Sequence, residues 1–276
     1  MTAAPTTTRE LLGRYDGVLL DVYGVLMDAR GPLPGAAELL AELEGTRPYA
    51  IVTNDASRSP ATYAARFASH GITVPPERFV TSGSLLAGYA PIRGKRTCVL
   101  GTPDSRAYAE AGGAIPVPLG AELDALAVCD DSGFDFLPGI ETALNAVIRA
   151  VDAGRRPALV LPNPDLVYPK GGGELGFTAG SIAMLIEAAL VRRFPAMSLR
   201  FDHLGKPEPH LFVEAARRLA LAPDRLVMIG DQLETDVAGA RAAGVATALL
   251  AGVTRWEHAR HAASFAPTWL LDKLSP

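Results

Sequence analysis

The sequence predicts an α/β protein, a Rossmann-like parallel sheet into which a second α/β unit is inserted. Three observations predict it. Short apolar runs that end in a polar or acidic residue recur at Val18-Leu19-Leu20-Asp21, Tyr49-Ala-Ile-Val-Thr-Asn54 and Leu226-Val-Met-Ile-Gly-Asp231. Segments with helical spacing of apolar residues alternate with them, which is the βαβ rhythm of a parallel sheet. That rhythm restarts near Ser82, and the original pattern returns near residue 200.

In order, Val18 to Leu20 reads as a buried strand that delivers Asp21 to its tip, with Gly24 shortly after letting the backbone turn. Pro34 opens a helix with leucines at 39, 40 and 43 and a stop at Gly45. Residues 49–54 form the second strand, ending in the Thr53 hydroxyl and the Asn54 amide. Ser59-Pro60 starts a helix that closes at His70-Gly71. The second unit reads as strands at 97–101, 125–130 and 158–161 with helices near 104–111 and 139–153. The loop after it holds Pro162-Asn163-Pro164-Asp165, a rigid turn, and Lys170-Gly-Gly-Gly-Glu174. Those glycines read either as exposed backbone amides or as a flexible loop. A helix follows from about Ala179. Lys206 then sits on a loop before a helix, Asp231 ends a strand, Glu234-Thr235-Asp236 starts an alanine-rich helix ending at Gly244, and residues 245–250 form a final strand. The expected domains are 1–81 with 200–276, and 82–199.

The chain's 276 residues suit either one large α/β domain or two modest ones, of which two are expected, and 27 glycines with 22 prolines match many tight turns. A formal net charge of −4 without a basic cluster argues against nucleic acid as a partner. Only two cysteines occur, Cys98 and Cys129, each inside an apolar run, so they read as buried thiols rather than a disulfide or zinc site. The first ten residues lack the apolar stretch of a secretory signal, and the most apolar helix is broken by charges. A cytoplasmic protein without membrane association is expected.

Asp21, Thr53-Asn54, Lys206, Asp231 and Asp236 thus fall at one edge of one sheet. Clustered carboxylates are costly unless a cation joins them, and hard oxygen ligands with one lysine suit Mg²⁺ and a phosphate. Neither a Gly-x-Gly-x-x-Gly turn nor a Walker lysine loop is present.

With these motifs in place, the sequence resembles the haloacid dehalogenase (HAD) superfamily, in the class IIA hydrolases similar to NagD phosphatases. Asp21-Val-Tyr-Gly-Val looks like the first motif, Thr53-Asn54 the second, Lys206 in Gly-Lys-Pro the third, and Gly-Asp231 with Asp236 the fourth. Segment 82–199 looks like a class II cap, and Asn163-Pro-Asp165 resembles that cap's sequence. The resemblance implies that Asp21 attacks phosphorus and forms an aspartyl-phosphate. It implies Mg²⁺ held by Asp21, the Tyr23 carbonyl and Asp231, with Asp236 supporting the metal or Lys206. Thr53 and Asn54 would bind the phosphoryl group, Lys206 would neutralise it, and Asn163 and Asp165 would face the substrate, a small phosphorylated metabolite. A homo-oligomer is compatible with the pattern.

One departure concerns catalysis. The family's phosphatases carry a second Asp two residues after the nucleophile, as general acid and base, where this chain has Tyr23. Its absence predicts a slow phosphatase or one that recruits another acid, with Asp55, Asp202, His203 and Glu174 as candidates. A Tyr there also resembles true dehalogenases, which attack carbon without metal. A phospho-ligand-binding protein without turnover is the third reading.

Overall fold

The computed structural model of the chain describes residues 3–251 and 266–275. In chain order, β1 (Ala4–Thr6), α1 (Thr8–Arg14), β2 (Gly17–Leu20), α2 (Ala36–Leu43), β3 (Tyr49–Thr53), α3 (Pro60–Ala68) and β4 (Phe79–Thr81) come first. Then follow β5 (Arg96–Leu100), α4 (Pro103–Ala111), β6 (Ile115–Pro116), β7 (Ala125–Val128), α5 (Phe136–Asp152), β8 (Ala158–Leu161), β9 (Val167–Gly171), β10 (Glu174–Phe177), α6 (Ala179–Arg193) and β11 (Asp202–His203). The chain closes with α7 (His210–Leu219), β12 (Leu226–Gly230), α8 (Ala238–Ala242), β13 (Ala246–Leu250) and β14 (Trp269–Leu271).

Two compact units result: residues 1–53, 60–80 and 206–276 form one, and residues 54–59 and 81–205 the other. Segment 54–59, which lies inside the first expected domain, packs with the second unit. The reason is local. Ser82 Oγ donates to the Asn54 carbonyl at 2.5 Å, Ser105 Oγ to the Ala56 carbonyl at 2.8 Å, and Thr102 Oγ1 to the Ser57 carbonyl at 2.6 Å.

The first unit holds a seven-stranded sheet in the order β1-β14-β13-β12-β2-β3-β4. Its central strands, β2, β3 and β12, are buried along their whole length, as parallel strands covered on both faces must be. Leu20 pairs with Ile51 on one side and Ile229 on the other, so Asp21, Thr53 and Asp231 all emerge just past the same edge. The core beneath them includes Leu39, Leu43, Tyr63, Phe67 and Phe79, with Phe79 stacked on Tyr63 at 5.3 Å.

The second unit holds a five-stranded sheet, β11-β8-β7-β5-β6, and a separate antiparallel hairpin of β9 and β10. Its core joins Leu126, Val128 and Leu161 to Ile140 and Val147 of α5 and Ile182 and Ile186 of α6. Capping at α4 follows its sequence: the Thr102 side chain accepts from the Ser105 amide, with Pro103 in the first turn.

Three elements differ from the sequence reading. Lys170 to Glu174 belongs to the β9–β10 hairpin, whose turn uses Gly171, Gly172 and Gly173 at positive φ. Asp236 lies in a π-helical turn, Leu233–Val237, ahead of α8. Residues 245–250 are not the last strand, since β14 pairs beyond them. Cys98 and Cys129 are buried free thiols. Among the described residues, no helix is long and apolar enough to cross a membrane.

Candidate active site

β2 ends in Asp21, whose amide donates to the Ile229 carbonyl at 3.1 Å, so the neighbouring strand fixes the residue's position. Lys206, 3% exposed, donates to Asp21 Oδ1 at 2.8 Å and to Asp236 Oδ1 at 2.6 Å. The other oxygen of Asp236 accepts from the backbone amides of Asp231 and Gln232, at 3.1 and 3.2 Å. Asp236 thus ties the ammonium to the turn that follows β12. Carboxylate oxygens of Asp21, Asp231 and Asp236 lie within 4.8 Å of one another, all buried.

Two glycines allow this crowding. Gly24 has φ +85°, and a Cβ on it would lie 2.2 Å from Asp231 Oδ2. A Cβ on Gly230 would lie 2.4 Å from the Asp236 Cβ. Neither position accepts a side chain while the carboxylates stay in place.

Three buried carboxylates share one ammonium. Burial, and then the charge of Asp236, push Asp21 up to about 7 against the pull of Lys206. Asp231 is pushed well above the usual carboxylate range by burial, then by Asp236 and Asp21. Burial works against the charge on Lys206, but Asp21 and Asp236 outweigh it and raise its pKa. Asp231 Oδ1 is shielded from solvent and has no hydrogen-bond partner among the described residues. Thr53 is buried at the end of β3, one strand from Asp21.

Tyr23 is half-buried against the core, and its hydroxyl accepts from Nη1 of Arg66 on α3. The Arg66 guanidinium also lies 5.2 Å from the Tyr23 ring centre. Sequence reasoning missed Arg66, which reads there as one more charge on an amphipathic helix.

The remaining residues belong to the second unit. Asn54 Nδ2 donates to Asp165 Oδ1 at 2.9 Å. The Asp165 amide donates to Asn163 Oδ1 at 3.1 Å, and Asn163 Nδ2 approaches Thr178 Oγ1 at 3.4 Å. Asn54, Asn163 and Asp165 therefore form one hydrogen-bonded group, whereas Asp21, Lys206, Asp231 and Asp236 form another. Of the candidate acids, Asp55 holds Arg58 and Ser57, Asp202 accepts from the Tyr89 hydroxyl, and His203 and Glu174 are exposed.

Residues 18–114 match the family described as haloacid dehalogenase-like hydrolase, and residues 203–276 match the one described as HAD-hydrolase-like. Chronophin of Bos taurus is 31% identical, over 91% of this chain and 86% of its own. The chain belongs to the haloacid dehalogenase-like hydrolases. Dihydroxyacetone phosphatase of Corynebacterium glutamicum (strain R) is 28% identical to this HAD-like hydrolase, over 84% of the chain and 79% of its own. A possible sugar phosphatase of the HAD superfamily from Cytophaga hutchinsonii superposes with a TM-score of 0.86 at 27% identity, covering 99% of each chain. NagD of E. coli K-12 shares the fold, with a TM-score of 0.77 at 23% identity over 95% of this chain and 97% of its own, and the protein is an enzyme of the phosphoric monoester hydrolase kind.

Proposed function

We propose that this HAD-like hydrolase is a Mg²⁺-dependent phosphatase of small phosphorylated metabolites, acting through an aspartyl-phosphate on Asp21. The observation that carries the reading is the buried group of three carboxylates with one lysine, in which Asp231 Oδ1 has no partner. An isolated buried carboxylate oxygen is costly, and this donor set of hard oxygens suits a divalent cation better than any protein group nearby. The residues fit the metal: Asp21, Asp231 and the Tyr23 carbonyl would hold it. Both oxygens of Asp236 are already engaged, by Lys206 and by backbone amides, so its role is to hold the lysine and the turn even where it borders the metal. When bound, Mg²⁺ supplies positive charge that offsets repulsion between the nucleophile and the phosphoryl oxygens.

This chain's own groups do the rest. Asp21 attacks phosphorus in line, the P–O bond to the leaving group breaks, and water then hydrolyses the acyl-phosphate. Lys206 neutralises charge on Asp21 and on the transferring phosphoryl group, and the Thr53 hydroxyl with the neighbouring Asn54 binds phosphoryl oxygens. Residues 82–199 act as the cap, with Asn163 and Asp165 facing the substrate. Tyr23, with its hydroxyl on Arg66, stands where the family's acid and base residue stands and offers no carboxylate to protonate the leaving group. The buried free thiols suit a reducing cytoplasm.

The test is release of phosphate from an activated aryl phosphate with and without Mg²⁺. Metal-dependent release supports the proposal. Chloride release from a haloacid in metal-free buffer would replace it with carbon attack, the reading that Tyr23 favours.

A further inference from the structure

The five-stranded sheet of the second unit runs β11-β8-β7-β5-β6, with every neighbouring pair parallel. β5 is its first strand in chain order, with β6 laid on one side of it and β7 on the other. The order of addition therefore reverses between β5 and β7, and in open parallel sheets small ligands lie outside the carboxyl ends of the strands at such a reversal. A cavity of about 700 Å³ occupies that place. Its walls include Val99 and Leu100 at the end of β5, Val117, Pro118 and Leu119 just after β6, and Phe134 in the loop after β7. The volume falls in the range of small-molecule sites, roughly 300–1,000 Å³, whose walls are likewise mostly apolar. The cavity shares no residue with the Asp21, Asp231 and Asp236 group or with Asn54, Asn163 and Asp165.

Three polar side chains line it: Arg106, Asp135 and Thr142. Thr142 spends its hydroxyl on the Pro138 carbonyl at 2.7 Å. Arg106 on α4 is half-buried and has five N–H donors, yet its one hydrogen bond among the described residues, from Nη1 to the Gly101 carbonyl, is long at 3.3 Å. Asp135 is the N-cap residue of α5, a position where a carboxylate usually accepts from the first turn, but its side chain makes no capping bond. Neither charge has an ion-pair partner among the described residues, and the two do not pair with each other.

An unpaired guanidinium and an unpaired carboxylate around one apolar hollow narrow the chemistry of an occupant. A neutral apolar molecule would strip water from both charges and replace it for neither. An anion would meet Asp135, and a cation would meet Arg106. We propose that this hollow binds a small zwitterion with an apolar body, the chemistry of a hydrophobic α-amino acid. Arg106 takes the carboxylate as a charge-assisted, two-pronged acceptor, Asp135 takes the ammonium, and the walls from Val99 to Phe134 cover the side chain.

The experiment is isothermal titration calorimetry of the metal-free full-length chain with L-phenylalanine, and with phenylpropionate and phenethylamine, which lack its ammonium and its carboxylate. L-phenylalanine is expected to bind at one site, and each analogue at least about tenfold more weakly, as loss of one charge-assisted bond does. Arg106→Gln and Asp135→Asn lie outside the core and are checked for fold by circular dichroism. Each is expected to weaken L-phenylalanine by the same factor. Arg106→Gln should no longer tell it from phenethylamine, and Asp135→Asn should no longer tell it from phenylpropionate. No saturable heat below about 10 mM, analogues that bind as tightly as L-phenylalanine, or variants that keep wild-type affinity would overturn the proposal. None of these results depends on phosphate turnover.

Discussion

Gly24 and Asp231 stand so close that a single methyl group on the glycine would overlap the carboxylate, 2.2 Å from Oδ2. The turn after Asp21 and the acid after β12 are therefore fitted to each other. Gly24→Ala is expected to displace Asp231, raise the Mg²⁺ midpoint and lower kcat by about 10²-fold, as misplacement near 1 Å does. Magnesium titration of activity, with circular dichroism as the fold control, checks it. An unchanged midpoint would detach Asp231 from the metal.

Asp231→Asn separates charge from packing. The buried carboxylates share one ammonium, so removing one charge is expected to raise the melting temperature of metal-free protein while abolishing the stabilisation that Mg²⁺ gives wild type. The pH sign agrees. Asp21 has a folded pKa of about 7 against 3.8, so its stabilising contribution is full below 3.8 and is lost as pH rises through 7. Metal-free wild type should therefore melt lower at pH 8 than at pH 5. Differential scanning calorimetry at both values, with and without Mg²⁺, measures it.

Asp130, past the end of β7, gives a pH effect outside the catalytic group. Burial, then Asp131 and Asp55, push it up to about 6 against the hydrogen bond from Ser132. A raised carboxyl stabilises the fold below 3.8 and loses that contribution as pH rises through 6. Asp130→Asn should then raise the melting temperature by roughly 2–4 °C at pH 7.5 and leave it nearly unchanged at pH 3.5. A gain of equal size at both values would assign the effect to packing.

The proposed reading of Tyr23 predicts the substrate range. With its hydroxyl on Arg66 and no carboxylate at that position, wild type should hydrolyse esters of acidic alcohols far better than alkyl esters, whose alkoxides leave poorly. Tyr23→Asp should narrow the gap. The measurement is rate against leaving-group pKa for both proteins at saturating Mg²⁺. Equal slopes would show that another group already supplies the proton.

The parallel core was legible because its strands announce their tips: apolar runs stop at Asp21, Thr53 and Asp231, and burial on both faces leaves no alternation to confuse. Lys206 and Asp236 were legible as charges that an ordinary surface would not need at that edge. The hairpin was not. Pro169 sits within β9 and three glycines make its turn, so composition there reads as a loop. β1 and β14 are three residues each, too short for a period to show. Asn54 illustrates the limit at the site: its neighbour Thr53 ends a strand of the first unit, yet its own side chain bonds Asp165, a partner 111 residues away that spacing cannot reveal.

Segment 54–59 has a consequence for how the protein is made. The chain passes between the two units at 53/54, 59/60, 80/81 and 205/206, and β2 lies between β3 and β12, with β1 paired to β14. While the ribosome is still adding residues 81–205, β2 has β3 on one side and an empty edge on the other, open to any strand that meets it. The second unit can complete its sheet first, and the edge that carries Asp21, Thr53 and Asp231 forms only when β12 emerges. A stall or premature stop between residues 206 and 225 would thus release a chain with a finished second unit and an apolar central strand unpaired on one side, which is a substrate for chaperones and proteases rather than a slow enzyme.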